Sequence, residues 1–170
     1  HPIDTRLIPK DKVETVIDAL AGQIAKGTRV YWVCPLVEES EVLDLEAAEA
    51  RFDVLQARFG DAVGLVHGRL KGEEKDDVMA RFAAGDIKIL VATTVIEVGV
   101  NVPEATIMVI EQAERFGLAQ LHQLRGRVGR GAAKSFCFLV YAGPLTKAGK
   151  ERLKIMRETE DGFIIAEKDL

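Results

Sequence analysis

Short apolar runs rich in β-branched and aromatic residues alternate, along the whole chain, with segments whose apolar residues recur at helical spacing. Arg29–Cys34, Ala62–Val66, Ile87–Ala92, Thr106–Ile110 and Ser135–Tyr141 read as strands, with a shorter one at Thr5–Ile8. Between them, Asp11–Ala25, about Leu45–Phe59, Glu73–Phe82, Leu118 to about Val128, and Lys147–Arg157 read as helices. The tail Phe163–Asp169 reads as helical too, and the acidic run Glu38–Glu41 as a loop. This rhythm specifies an α/β domain: a mostly parallel sheet with helices on both faces.

A chain of 170 residues has room for one such domain. Apolar residues make up 48% of it and charges of both signs are interspersed, which excludes a disordered chain. The formal net charge is −4, so the overall balance gives no support to nucleic-acid binding and any basic surface must be local. Cys34 and Cys137 sit inside apolar runs, where buried reduced thiols are expected rather than a disulfide or a metal site. No stretch is long and apolar enough to span a bilayer, and no signal peptide is expected. The opening His1-Pro2-Ile3-Asp4-Thr5 carries no initiator Met and runs into a strand, so the chain reads as a piece of something longer.

Parallel sheets bind ligands outside the carboxyl ends of their strands, which directs attention to the residues after Val66, Ala92 and Ile110. The most informative stretch, however, is Gln120-Leu121-His122-Gln123-Leu124-Arg125-Gly126-Arg127-Val128-Gly129-Arg130-Gly131. On a continuous helix, Gln123, Arg127 and Arg130 would share an arc of about 60°, with Arg125 roughly opposite. Gly126 and Gly129 flank that arc although glycine costs a helix about 1 kcal/mol relative to alanine. Close approach of a polyphosphate would explain them, since two guanidiniums can meet several phosphate oxygens in bidentate fashion. The competing explanation is a solvated cationic helix end. The full spacing favours phosphate.

After Ala92 come Thr93 and Thr94, whose hydroxyls and fresh backbone N–H groups could bind phosphate; an ordinary helix cap by Thr94 would also explain them. His67-Gly68-Arg69 follows Val66 in a comparable place, where a satisfied structural histidine is the plainer alternative. Two further segments are decoys. Gly143-Pro144-Leu145-Thr146-Lys147-Ala148-Gly149-Lys150-Glu151 has five residues between its glycines where a phosphate loop has four, and Glu151 replaces the required hydroxyl. Met108-Val109-Ile110-Glu111 looks like a strand ending in a metal-binding acid, but reads more simply as a core strand with a polar end.

With these residues in view, the Gln123-to-Arg130 run resembles motif VI of superfamily 2 helicases, and Leu90–Pro103 resembles their motif V. Tyr31–Glu41, Gly64–Lys71, Glu111–Leu118 and Glu151–Phe163 are similar to the RecG family in particular. The resemblance implies a RecA-like three-layer fold over residues 1–145 and a helical extension from 146–170 that begins a translocation region. It implies that Arg127 and Arg130 are arginine fingers, and that Gln123, Gly126, Gly99 and Asn101 lie toward ATP. Thr93, Thr94, His67, Gly68 and Arg69 would lie along the DNA backbone. It further implies a cytoplasmic, nucleoid-associated bacterial monomer acting on branched double-stranded DNA by fork reversal and Holliday junction migration. ATP and Mg²⁺ would be held mainly by a preceding RecA-like domain that carries the phosphate loop and acidic motif missing here. No metal ligand is expected in this chain.

Three other identities compete with this one. A transcription-repair coupling translocase shares the Leu121–Gly131 run but differs at Cys34–Ser40, and a non-catalytic helicase-derived module has no reason to keep both Gly-Arg pairs. A metabolic nucleotide-binding enzyme would need a glycine-rich loop after its first long strand, which Arg29–Pro35 does not provide.

Overall fold

A computed structural model of the chain describes residues 3–35, 40–93, 102–128 and 134–159, except the side chain of Glu41. Within these residues six strands form one sheet: β1 (Ile3–Pro9), β2 (Arg29–Cys34), β3 (Val63–Val66), β4 (Ile89–Thr93), β5 (Ala105–Ile110) and β6 (Ser135–Tyr141). Their order is β1-β6-β5-β2-β4-β3, and every pairing is parallel. Among the described residues five α-helices cover it: α1 (Val13–Ala25), α2 (Glu41–Phe59), α3 (Gly72–Ala84), α4 (Leu118–Arg125) and α5 (Lys147–Glu158). The expected RecA-like architecture is therefore present, all-parallel rather than mostly so.

The strand pattern follows from burial on both faces. β4 and β5 are buried at every residue, as a sheet sandwiched between helices requires. In β2 successive side chains serve opposite cores. Tyr31 and Val33 pack with Met79, Phe82, Leu118, Leu121, Leu153 and Met156 from α3, α4 and α5. Val30, Trp32 and Cys34 pack with Val16, Ile17, Leu20, Ala48 and Leu55 from α1 and α2. Trp32 and Phe82 are both 0% exposed, and truncating either would cost roughly 3–5 kcal/mol. In α1, Val13, Val16, Ile17 and Leu20 form the buried stripe at helical spacing that the sequence announced.

Of the boundaries that depart from expectation, three have a plain local reason. α2 begins at Glu41 rather than near Leu45, because Ser40 caps it: the Ser40 Oγ accepts from the Leu43 N–H at 3.4 Å. A short 3₁₀ turn at Lys10–Lys12 precedes α1, which starts at Val13 instead of Asp11. α4 stops at Arg125, short of Val128. Gly126 ends it, and the chain closes with tighter bonds from Arg127 N–H to the Leu124 carbonyl (3.0 Å) and Val128 N–H to the Arg125 carbonyl (3.2 Å). The expected helix at Phe163–Asp169 lies outside the described residues.

Candidate functional site

Parallel pairing brings the carboxyl ends of all six strands to one edge. Val66 pairs with Ala92, so His67 and Thr93 leave neighbouring strands side by side. Thr93 ends β4 with 8% exposure. The His67 ring is tied into its turn, its Nδ1 accepting from the Arg69 N–H at 3.2 Å, while the Leu70 N–H donates to the His67 carbonyl at 3.3 Å. Gly68 and Arg69 are exposed at this turn. The helix after it, α3, starts under a carboxylate: Glu74 Oε1 accepts from the Lys71 N–H at 3.3 Å. Four of the expected residues, His67, Gly68, Arg69 and Thr93, are thus gathered at the β3–β4 end. Thr94, Gly99 and Asn101 lie outside the described residues.

A second group forms at the end of α4. Gln120 Oε1 accepts from the Gly117 N–H at 3.2 Å and starts the helix; Leu118, Leu121 and Arg125 are its buried residues. Gln123, Gly126 and Arg127 are exposed. The helix expected to carry Gln123 and Arg127 together does not reach Arg127, which sits in the turn past Gly126. Among the described residues the Arg127 guanidinium has no hydrogen-bond or ion-pair partner. Its charge reaches Tyr31: burial pushes the Tyr31 hydroxyl up, and Arg127 opposes that rise. Arg127 therefore presents an exposed cation within electrostatic reach of Tyr31 on β2. Arg130 lies outside the described residues.

Arg125, set apart from Arg127 by the helical wheel but given no role by it, is a buried cation. It is 1% exposed and fully engaged. Its Nη1 donates to the Met156 carbonyl (2.5 Å) and to Thr5 Oγ1 (3.2 Å), its Nη2 donates to the Thr159 carbonyl (2.8 Å), and His122 Nδ1 stands 3.4 Å from Nη2. These carbonyls close the C-terminus of α5, where the helix dipole is negative, so they serve a buried cation in place of an acid. The sequence did carry a signal: Leu118, Leu121 and Arg125 fall on one helical stripe, and an arginine on an apolar stripe must find buried acceptors.

Both decoys resolve as structure. Thr146 caps α5, its Oγ1 accepting from the Gly149 N–H at 2.9 Å, and a Cβ on Gly149 would lie 3.1 Å from that oxygen. No cradle for phosphate is formed there. Glu111 is committed to a network with its neighbours. Arg51 meets it in bidentate fashion (2.9 and 2.8 Å), Trp32 Nε1 donates to it at 2.7 Å, and the Cys34 thiol stands at 3.5 Å. The Arg51 guanidinium also lies 5.2 Å from the centre of the Trp32 ring. Among the described residues no group of three or more His, Cys, Asp or Glu could hold a metal, so these residues do not fit a Mg²⁺ site. Arg127 offers an exposed cation and Gln123 an exposed amide, the two groups at this end that phosphate oxygens could accept from.

Cys34 and Cys137 are free, buried thiols, as expected. Desolvation pushes Cys137 up to about 12; desolvation first, and then the Glu111 carboxylate, push Cys34 well above an ordinary thiol.

Comparison with known proteins follows this geometry closely. Residues 11–132 match the helicase conserved C-terminal domain. The ATP-dependent DNA helicase RecG of Acidithiobacillus ferridurans is 57% identical over 170 residues, covering 99% of this chain and 25% of that protein. RecG of Escherichia coli (strain K12) is 53% identical and RecG of Bacillus subtilis (strain 168) 51% identical, again over 99% of this chain and 25% of each relative. The chain thus spans about a quarter of the length of the relatives it matches. A solved structure of RecG bound to a three-way DNA junction superposes with a TM-score of 0.84 at 45% identity, over 99% of this chain and 22% of that one. Domain 2 of the DEAD-box helicase Mss116p, bound to an RNA duplex, gives a TM-score of 0.70 over 94% of this chain and 62% of that one. At 16% identity it shows the shared fold alone.

Proposed function

Because the chain belongs to the helicase conserved C-terminal domain family, in its RecG form, we propose that it is the second motor domain of an ATP-dependent double-stranded DNA translocase. The observation that carries this reading is Arg127: an exposed guanidinium beyond α4, next to a buried neighbour and without a hydrogen-bond or ion-pair partner among the described residues, in a sequence that has no phosphate loop.

In this reading residues 1–145 form the motor domain and 146–170 begin the translocation region. ATP and Mg²⁺ bind mainly to a preceding RecA-like domain of the parent polypeptide, and Mg²⁺ there supplies charge neutralisation at the phosphates. Arg127 and Arg130 reach across the closed cleft to the γ-phosphate, where charge spreads over the oxygens in the transition state. Gln123, Gly126, Gly99 and Asn101 line the same side. His67, Gly68, Arg69, Thr93 and Thr94 follow the DNA backbone with neutral donors and one cation, a set suited to position without sequence readout. Opening and closing of the cleft against that backbone moves the motor along a duplex arm, driving fork reversal and Holliday junction migration in a cytoplasmic, nucleoid-associated monomer.

The division of labour is directly testable. The purified 170-residue chain is expected to show no appreciable DNA-stimulated ATP hydrolysis, measured by phosphate release. Robust turnover by this chain alone would overturn the two-domain site.

A further inference from the structure

Cations gather on one face of α5 in a chain whose formal net charge is −4. Lys147, Lys150, Lys154 and Arg157 recur at i, i+3, i+7 and i+10, an arc of about 80° spread over roughly 15 Å of helix axis. All four are exposed. Among the described residues the side chains of Lys147, Lys150 and Lys154 have no ion-pair partner, and Arg157 has only its neighbour Glu158 at 3.9 Å. Glu151 and Glu158 stand on one margin of the arc and leave its centre basic.

Helix formation does not explain this placement. The first turn of a helix carries partial positive charge, so cations weaken it and acids strengthen it. Lys147 and Lys150 occupy that end, and the first turn holds no acid. The neighbouring face secures the helix: Gly149, Leu153 and Met156 are buried, Thr146 caps the start, and Arg152 Nη2 donates to the Glu114 carbonyl at 3.1 Å. Arg125 holds the last carbonyls. The lysines therefore project from a fixed rod.

We propose that this face of α5 is a second line of contact to nucleic-acid phosphates, distinct from the His67–Thr93 group. The proposal rests on the reading of the chain as part of a DNA motor. A duplex carries one negative charge per ~1.7 Å of axis, a density that a row of unpaired lysines meets without regard to base sequence. α5 packs against edge strand β1, whereas His67 follows the opposite edge strand, β3. Six strands separate the two lines by about 24 Å, so they engage different stretches of the nucleic acid.

The test uses the full-length parent polypeptide and a three-way junction with duplex arms, with affinity measured across a salt series. Lys147→Gln, Lys150→Gln and Lys154→Gln together are expected to reduce the slope of log affinity against log salt by about 2 to 3, and to weaken binding at low salt on the order of tenfold. The corresponding triple arginine variant should retain both. A second variant adds Glu46→Gln, Glu49→Gln and Asp53→Asn on α2, on the other face of the sheet, and so restores total charge; its slope should stay reduced. An unchanged slope in the glutamine variant overturns the proposal. Recovery in the charge-restored variant also overturns it, by reducing the effect to net charge. Unchanged DNA binding with lost retention on polyglutamate would assign the face to an acidic protein instead. A wild-type parent that binds no DNA would defeat the motor reading itself, an outcome separate from these.

Discussion

Arg125 and Arg127, two residues apart at the end of α4, face opposite worlds: Arg125 is 1% exposed and donates to the Met156 and Thr159 carbonyls, while Arg127 is exposed and has no hydrogen-bond partner among the described residues. Gly126 between them ends the helix. One cation is used to fix the frame, and the other remains available to a ligand. The exposed cation is only as well placed as the buried one allows.

Removing the buried member should loosen that frame. Arg125→Ala leaves the Met156 carbonyl in the last turn of α5 and the Thr159 carbonyl just beyond it without their donor and opens a cavity, at a cost of about 3–5 kcal/mol. Urea unfolding of the wild-type chain and the variant measures this. Arg125→Lys can satisfy only part of the set, because it lacks the planar fork, and should fall between them. Equal stability of all three would mean the network contributes nothing.

Glu111 offers a sharper distinction between structure and chemistry. Glu111→Gln loses the bidentate Arg51 contact in a pair whose side chains are only 17% and 16% exposed, and should destabilise by about 2–3 kcal/mol. In the parent polypeptide the Mg²⁺ concentration for half-maximal ATP hydrolysis should not move. A large shift in that concentration would make Glu111 a metal ligand after all.

Alkaline pH should expose the buried thiols. The Cys137 pKa is raised to about 12 in the folded chain, against roughly 8.5 for a free thiol. Above pH 9 the unfolded chain releases that proton and the folded chain keeps it, so stability is complete below pH 8 and falls as pH rises toward 12. The slope contributed by one thiol is about 1.4 kcal/mol per pH unit. Unfolding curves for Cys137→Ala should show a shallower decline over this window than wild type. A steeper decline in the variant would reverse the sign of the argument.

Much of this could be read before any coordinates. Arg29–Cys34 and Ser135–Tyr141 were legible to the residue, because dense β-branched and aromatic runs meet clear breakers at Gly27 and Pro35 and at Gly143. α2 was harder: its cap, Ser40, stands in an acidic run that looks like a loop until the Leu43 N–H is found on its hydroxyl. The helical wheel correctly set Arg125 apart from Arg127. It extended α4 too far, since a wheel has no way to register the tightening at Gly126. It was also blind to what Arg125 binds, because acceptors on β1 and α5 are 120 and 31 or more residues away in sequence. The grouping of His67 with Thr93 depends on strand order, which no local pattern encodes.

Steady-state kinetics of Arg127→Ala in the full-length parent, with junction affinity measured on the same preparation, tests the assignment most directly. A finger acting on the γ-phosphate should lower kcat on the order of 10³-fold while DNA affinity stays within about threefold of wild type. A variant that loses affinity and kcat in equal measure, or loses neither, would place Arg127 outside the nucleotide site.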